Sequence, residues 1–209
     1  MKLVFLGDSI TRGTFTDKEK GESAPLSVAS PNFAEYLEKM LGATEMINYG
    51  FNGISYCSCS PVNADKALSK TYMEVKDADV IIIAAGTNDY GTNVELGLKE
   101  DDQDTSFYGA VDVVLSGIKR NNPDAEIYVI LPIPRRNEGV NERGYVLDDY
   151  RSALEYKAKI YGLHIIDGRK IAIDPEKEED LMLYMDDGLH PNNRGHKLYA
   201  DMVYAQIKR

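Results

Sequence analysis

The chain has 209 residues, 43% of them hydrophobic, enough for one domain with a full core. Its 24 Lys and Arg stand against 34 Asp and Glu, a net charge of −10 that repels a phosphate backbone or an anionic membrane. No Lys/Arg cluster makes a local exception, so neither nucleic acid nor a membrane is an expected partner.

The run Lys2-Leu3-Val4-Phe5-Leu6 reads as a buried strand ending in Gly7-Asp8-Ser9. It is too short for the apolar region of a secretory leader and has no small-residue cleavage site. No stretch approaches transmembrane length, and the cytoplasm is the expected location. Residues 7–30 are rich in Gly, Ser and Thr and read as a loop with a charged centre, Asp17 to Glu22. Ser30 is read as an N-cap and Pro31 as the first position of a helix carrying Phe33, Tyr36, Leu37, Met40 and Leu41 on one face and closed by Gly42. A second strand over 44–48 leads into a loop with Gly50, Phe51, Asn52 and Gly53. Cys57 and Cys59 are separated by one residue. Such neighbours are not expected to pair as a disulfide, and two ligands make a poor zinc site, which favours a reducing compartment.

A short helix is expected over 62–75. The unbroken apolar run from Asp79 to Gly86 fits a central strand covered on both faces. It ends in Gly86-Thr87-Asn88-Asp89, and residues 90–104 form an acidic loop. Thr105 is read as the cap of a helix through Arg120, followed by a strand over 126–131 that Pro132 and Pro134 end. A charged loop runs through Gly144. Helical spacing returns over 146–161, a fifth strand covers 163–166, and the acidic stretch 174–180 begins a short helix. Asn192 or Asn193 caps a closing helix from 194 to 207. Five alternations of strand and helix imply an α/β fold, a three-layer α/β/α sandwich around a five-stranded parallel sheet, flavodoxin-like, in a single domain over residues 1–209.

Loops at the ends of the first three strands carry small and polar residues, and in open parallel sheets ligands bind at that edge. A fourth loop holds Asp186-Asp187-Gly188-Leu189-His190-Pro191. Of three histidines, His164 lies in a strand and reads as packing, and His196 lies on the closing helix and reads as solvated. His190 sits three residues after Asp187. An imidazole can take a serine proton when a carboxylate fixes its other nitrogen, and Asp187 is close enough in sequence to do so.

Gly-Asp-Ser-Ile-Thr at 7–11, Asn48 to Gly53, Gly86 to Asp89 and Asp187 to Pro191 together resemble, in order, the sequence blocks of the SGNH, or GDSL-like, serine hydrolases. The resemblance implies that Ser9 is the nucleophile, His190 its general base and then acid, and Asp187 rather than Asp186 the orienting carboxylate. It also implies an oxyanion hole formed by the Ser9 and Gly53 N–H groups and the Asn88 amide. No cofactor or metal is required. Asp8 and Asp89 read as structural carboxylates accepting loop N–H bonds. Phe51, Tyr56 and Tyr90 are candidates for lining the substrate pocket or for packing. The expected substrate is a small-molecule ester, a short acyl group on a carbohydrate-like alcohol. A lysophospholipase, a thioesterase, a non-catalytic binding module on the same scaffold and a homo-oligomer remain open. A dinucleotide fold is disfavoured because Gly7 and Gly13 fit neither G-x-G-x-x-G nor a P-loop. A metal-dependent phosphoesterase is disfavoured because one well-placed histidine comes with no clustered acidic pair.

Overall fold

A computed structural model describes residues 1–17, 20 and 25–207. Most of the charged centre expected between Asp17 and Glu22 lies outside the described residues. Strand β1 (Lys2–Gly7) shows why the sheet is buried on both sides. Leu3 and Phe5 face one layer, Val4 and Leu6 the other, and all four are at most 1% exposed. Strands β4 (Glu45–Gly50), β5 (Val80–Ala84), β6 (Glu126–Ile130) and β7 (His164–Ile166) join it in the order β4-β1-β5-β6-β7, every pairing parallel. The chain order reverses between β1 and β5, which creates a crevice at their carboxyl ends.

Helices α5 (Phe107–Asn121) and α6 (Leu147–Ile160) cover the face that carries Val4, Leu6, Ile81 and Ile83. Helices α2 (Phe33–Leu41), α7 (Glu178–Tyr184) and α8 (Asn193–Ile207) cover the face with Leu3, Phe5 and Ile82. The expected three-layer fold is therefore the observed one.

Several local expectations change. The loop over 7–30 contains a one-turn helix, α1 (Ser9–Arg12), and a small antiparallel ladder of β2 (Thr14–Phe15) with β3 (Ser27–Val28). The cap of α2 is Asn32, not Ser30. Its side chain accepts the Ala34 and Glu35 N–H groups while Glu35 reaches back to the Asn32 N–H, and the Ser30–Pro31 peptide is cis. Ser106 rather than Thr105 caps α5. The single helix expected over 62–75 is instead the short helix α3 (Leu68–Thr71) between two 3₁₀ turns, Ala64–Lys66 and Tyr72–Glu74, none with a side-chain cap. A further short helix, α4 (Thr87–Gly91), takes up most of the third strand-end loop, starting straight after Gly86.

The cysteines also depart from expectation. Cys57 and Cys59 are joined by a disulfide. Asp89 holds the Cys57 N–H, and the Ser60 N–H bonds back to the Cys57 carbonyl. This turn brings the two Cα atoms to 5.1 Å, inside the range a disulfide requires. The bond removes the cysteine argument for a reducing compartment. Among the described residues, no helix is long and apolar enough to cross a membrane.

Candidate active site

Gly7 ends β1 with the Thr11 side chain of α1 folded against it. A Cβ there would lie 2.1 Å from both the Ala84 carbonyl oxygen and Thr11 Oγ1, so only glycine fits. Asp8 then caps α1, accepting the Ile10 N–H at 2.9 Å, and its buried carboxyl is pushed up to about 6 by desolvation. Ser9 is the first helical residue, so its own N–H has no acceptor within the helix. Thr11 Oγ1 donates to the Ala84 carbonyl at 3.1 Å, and Asn48 Nδ2 donates to the Thr11 carbonyl at 2.8 Å. Bonds to both neighbouring strand ends thus clamp the turn that carries Ser9.

Ser9 Oγ lies 2.8 Å from His190 Nε2. His190 Nδ1 lies 2.8 Å from Asp187 Oδ2. Asp187 Oδ1 accepts the N–H groups of Leu189 at 2.9 Å and His190 at 2.7 Å, folding the loop into a tight turn. Burial pushes the Asp187 carboxyl up, but the hydrogen bond and charge of His190 and these two N–H groups outweigh it and hold the carboxyl well below the usual carboxylate range. An ionised Asp187 accepts from Nδ1–H, which leaves Nε2 free to accept from the Ser9 hydroxyl. Thr16 Oγ1 donates a further bond to Asp187 Oδ2 at 2.9 Å. Asp186, the rival carboxylate in sequence, is not the one bonded to His190.

Gly53 follows β4 in the left-handed region, φ +72°, and its N–H finds no acceptor among the described residues. Asn88 lies in α4, where Nδ2 donates one hydrogen to the Ile54 carbonyl at 2.8 Å and keeps its second. Next to it, Asp89 is fully buried and accepts the Tyr56 N–H at 2.9 Å and the Cys57 N–H at 3.1 Å. Asp89 is structural, as expected, but it secures the segment after Gly53 rather than its own loop. Desolvation pushes its carboxyl up to about 7.

The pocket candidates separate. Phe51 is 42% exposed beside the Gly53 turn. Tyr56 is fully buried, edge-on to Phe107, and cannot line a pocket. Tyr90 is also buried, with its hydroxyl donating to the Asn137 and Gly139 carbonyls. The loop following β6 holds Tyr90, and Phe107 of α5 packs Tyr56, contacts that local sequence does not reveal. The other histidines change places as well. His196 is fully buried against Phe33 and accepts its N–H at 3.3 Å, and desolvation lowers its pKa to about 3. His164 is exposed on the edge strand, where its ring stacks on Tyr128. Thr16 carried no sequence signal, because its partner lies 171 positions away.

The model of the GDSL-like Lipase/Acylhydrolase family matches residues 5–198, which include all of these strand-end loops. The chain belongs to this family. Over 99% of its length, the GDSL-like chain also matches solved structures of the same fold. One is a protein from Lactobacillus plantarum, with TM-score 0.83, 26% identity and 96% of that chain covered. Another is the native aryl esterase of M. smegmatis, with TM-score 0.67, 18% identity and 98% of that chain covered. A third is a carbohydrate acetylesterase from Sinorhizobium meliloti, with TM-score 0.66, 16% identity and 98% covered. No curated protein sequence matches the GDSL-like chain significantly.

Proposed function

We propose that the protein is a serine esterase that cleaves short-chain carboxylic esters of a carbohydrate-like alcohol through an acyl-enzyme. The observation that carries this reading is the continuous relay Ser9 Oγ–His190 Nε2–Asp187, with both links at 2.8 Å. A serine hydroxyl is a weak nucleophile without such a base. Ser9 Oγ attacks the ester carbonyl carbon as its proton passes to His190 Nε2, and Asp187 stabilises the imidazolium that forms. The tetrahedral intermediate collapses, and the same proton leaves with the alcohol. Water then repeats the sequence on the acyl-serine and releases the acid.

The oxyanion is received by the N–H groups of Ser9 and Gly53 and by the Asn88 amide hydrogen not used on Ile54. One such donor is worth about 3–4 kcal/mol in the transition state. The short acyl group and the carbohydrate-like alcohol draw support from one structural neighbour, a carbohydrate acetylesterase, and ester cleavage from another, an aryl esterase. A cleft of about 400 Å³ adjoins the triad loop at Asp186, lined by Phe15, Leu183 and the exposed Met182 together with Asn192 and Arg194. Apolar patches bordered by hydrogen-bonding groups suit a sugar ring better than an alkyl chain.

A fluorophosphonate probe should label Ser9 in the folded protein and leave Ser9→Ala unlabelled. p-Nitrophenyl acetate should turn over faster than the octanoate, and a chelator should not change the rate. Absence of labelling favours the non-catalytic binding module. Faster turnover of octanoate moves the substrate to a lysophospholipase or thioesterase class.

A further inference from the structure

Arg135 lies on the segment after β6, between two parts of the candidate site. Its Nη1 donates to Thr87 Oγ1 at 3.1 Å and to the Thr87 carbonyl at 3.4 Å, one residue before Asn88. The next residue, Arg136, donates its backbone N–H to the Gly188 carbonyl at 2.7 Å, inside the loop that joins Asp187 to His190. The guanidinium lies over the Tyr90 ring, 5.7 Å from its centroid. A cation is therefore fastened between the Asn88 loop and the His190 loop.

The neighbouring cations have carboxylates of their own. Arg136 pairs with Glu178, and Arg151 pairs with Glu138 and Asp148. Glu138 accepts the Arg135 backbone N–H, but both of its oxygens are engaged by the Arg151 guanidinium. Asp187 and Asp8 influence Arg135 only through their charge, since Asp187 is bonded to His190 and Asp8 to the Ile10 N–H. Among the described residues, the Arg135 guanidinium makes no ion pair, and its Nε is enclosed without an acceptor. Its two side-chain bonds use Nη1 alone. Nη2 makes no bond and, unlike Nε, is not enclosed, so its hydrogens are left to donate charge-assisted bonds to a carboxylate or phosphate. A half-buried cation without a counter-charge is costly to keep in a fold.

We infer that Arg135 is an anion-recognition residue of the active site and selects esters that carry a carboxylate or phosphate near the scissile bond. The inference rests on the hydrolase reading and narrows its substrate class. The anion supplies the counter-charge that the protein withholds, while Tyr90 and Thr87 keep the guanidinium in place.

The test uses matched ester pairs. 4-Acetoxybenzoate against 4-acetoxybenzamide places the charge on the alcohol side. Mono(4-nitrophenyl) succinate against 4-nitrophenyl butyrate places it on the acyl side. In one of the two arms the anionic ester should have a kcat/KM about tenfold or more above its neutral partner. The ratio should fall to about one in Arg135→Met, remain intermediate in Arg135→Lys, and shrink in about 0.5 M NaCl. A ratio of one or less in both arms for the wild type, or a ratio unchanged in Arg135→Met, overturns the inference. Should Arg135→Met not fold, Arg135→Gln and Arg135→Lys give the same comparison. Calorimetric binding of 4-hydroxybenzoate and succinate to Ser9→Ala, against their amides, is read in parallel. If no ester is hydrolysed, the hydrolase reading fails, yet carboxylate-selective binding that is lost with Arg135 still supports the anion site. Equal binding of acid and amide overturns it.

Discussion

At the scale of single residues, the relay depends on how tightly Asp187 is held. Its Oδ1 is occupied by two backbone N–H groups and its Oδ2 by His190 and Thr16, so the carboxylate has little freedom to turn away. Thr16→Val removes one donor to this anion while keeping the side chain's shape. We expect kcat to fall roughly three- to tenfold, measured on p-nitrophenyl acetate, with the fold intact by circular dichroism. Asp187→Asn should cost far more, on the order of 10⁴ in kcat, because an amide favours the wrong imidazole tautomer. Asp187 and His190 were legible because their geometry closes within three residues of chain. Thr16 and Arg135 were not, since each meets the site only through a distant loop. His196 shows the same limit. A histidine on an amphipathic helix looks solvated until the Phe33 packing that buries it is known.

At the scale of elements, the site is built where strand ends meet one-turn helices. Gly7 admits the Thr11 side chain of α1 beside the Ala84 carbonyl, and Gly50 lets the α1 backbone lie directly against β4. A Cβ on Gly50 would come within 2.4 Å of the Arg12 nitrogen. The Ala84 carbonyl against Gly7 and the Arg12 nitrogen against Gly50 are backbone atoms, so neither can give way cheaply. Gly7→Ala and Gly50→Ala should each lower stability by about 3 kcal/mol, at the upper end of ordinary overpacking, read as a drop in denaturant midpoint. A much smaller loss would mean that α1 can lift from the sheet. The strands were legible from apolar runs and the long helices from their spacing. The one-turn helices α1 and α4 were not, because four or five residues are too few to show a period. The single short helix expected over 62–75 is broken by uncapped turns, which the residue pattern there does not mark.

At the scale of the molecule, two buried carboxyls near the site link stability to pH. Burial raises Asp8 to about 6 and Asp89 to about 7, against 3.8 for the free group. The folded protein therefore keeps a proton on Asp89 that the unfolded chain releases between about pH 4 and 7. The contribution is fully present below about pH 4 and is lost as pH rises through the folded value. Asp89→Asn carries no such titration. Between pH 4 and pH 8 the stability difference should move in the variant's favour by on the order of 4 kcal/mol, measured by urea denaturation at each pH. No relative movement would show that Asp89 stays ionised in the fold. His196 acts in the other sense. Its lowered value keeps it neutral in the fold, so stability falls as pH drops below about 6.5 and the unfolded chain takes up the proton.

The bond between Ser9 and His190 spans 181 positions of sequence. As the chain leaves the ribosome, Ser9 emerges 181 residues before the histidine it bonds. On the proposed mechanism, a growing chain can shape the first strand and the turn that holds Ser9, but it has no means of turning over substrate until residues 187–190 have been made and docked. Hydrolysis of a chromogenic ester during synthesis would therefore report the completion of the fold rather than the progress of translation.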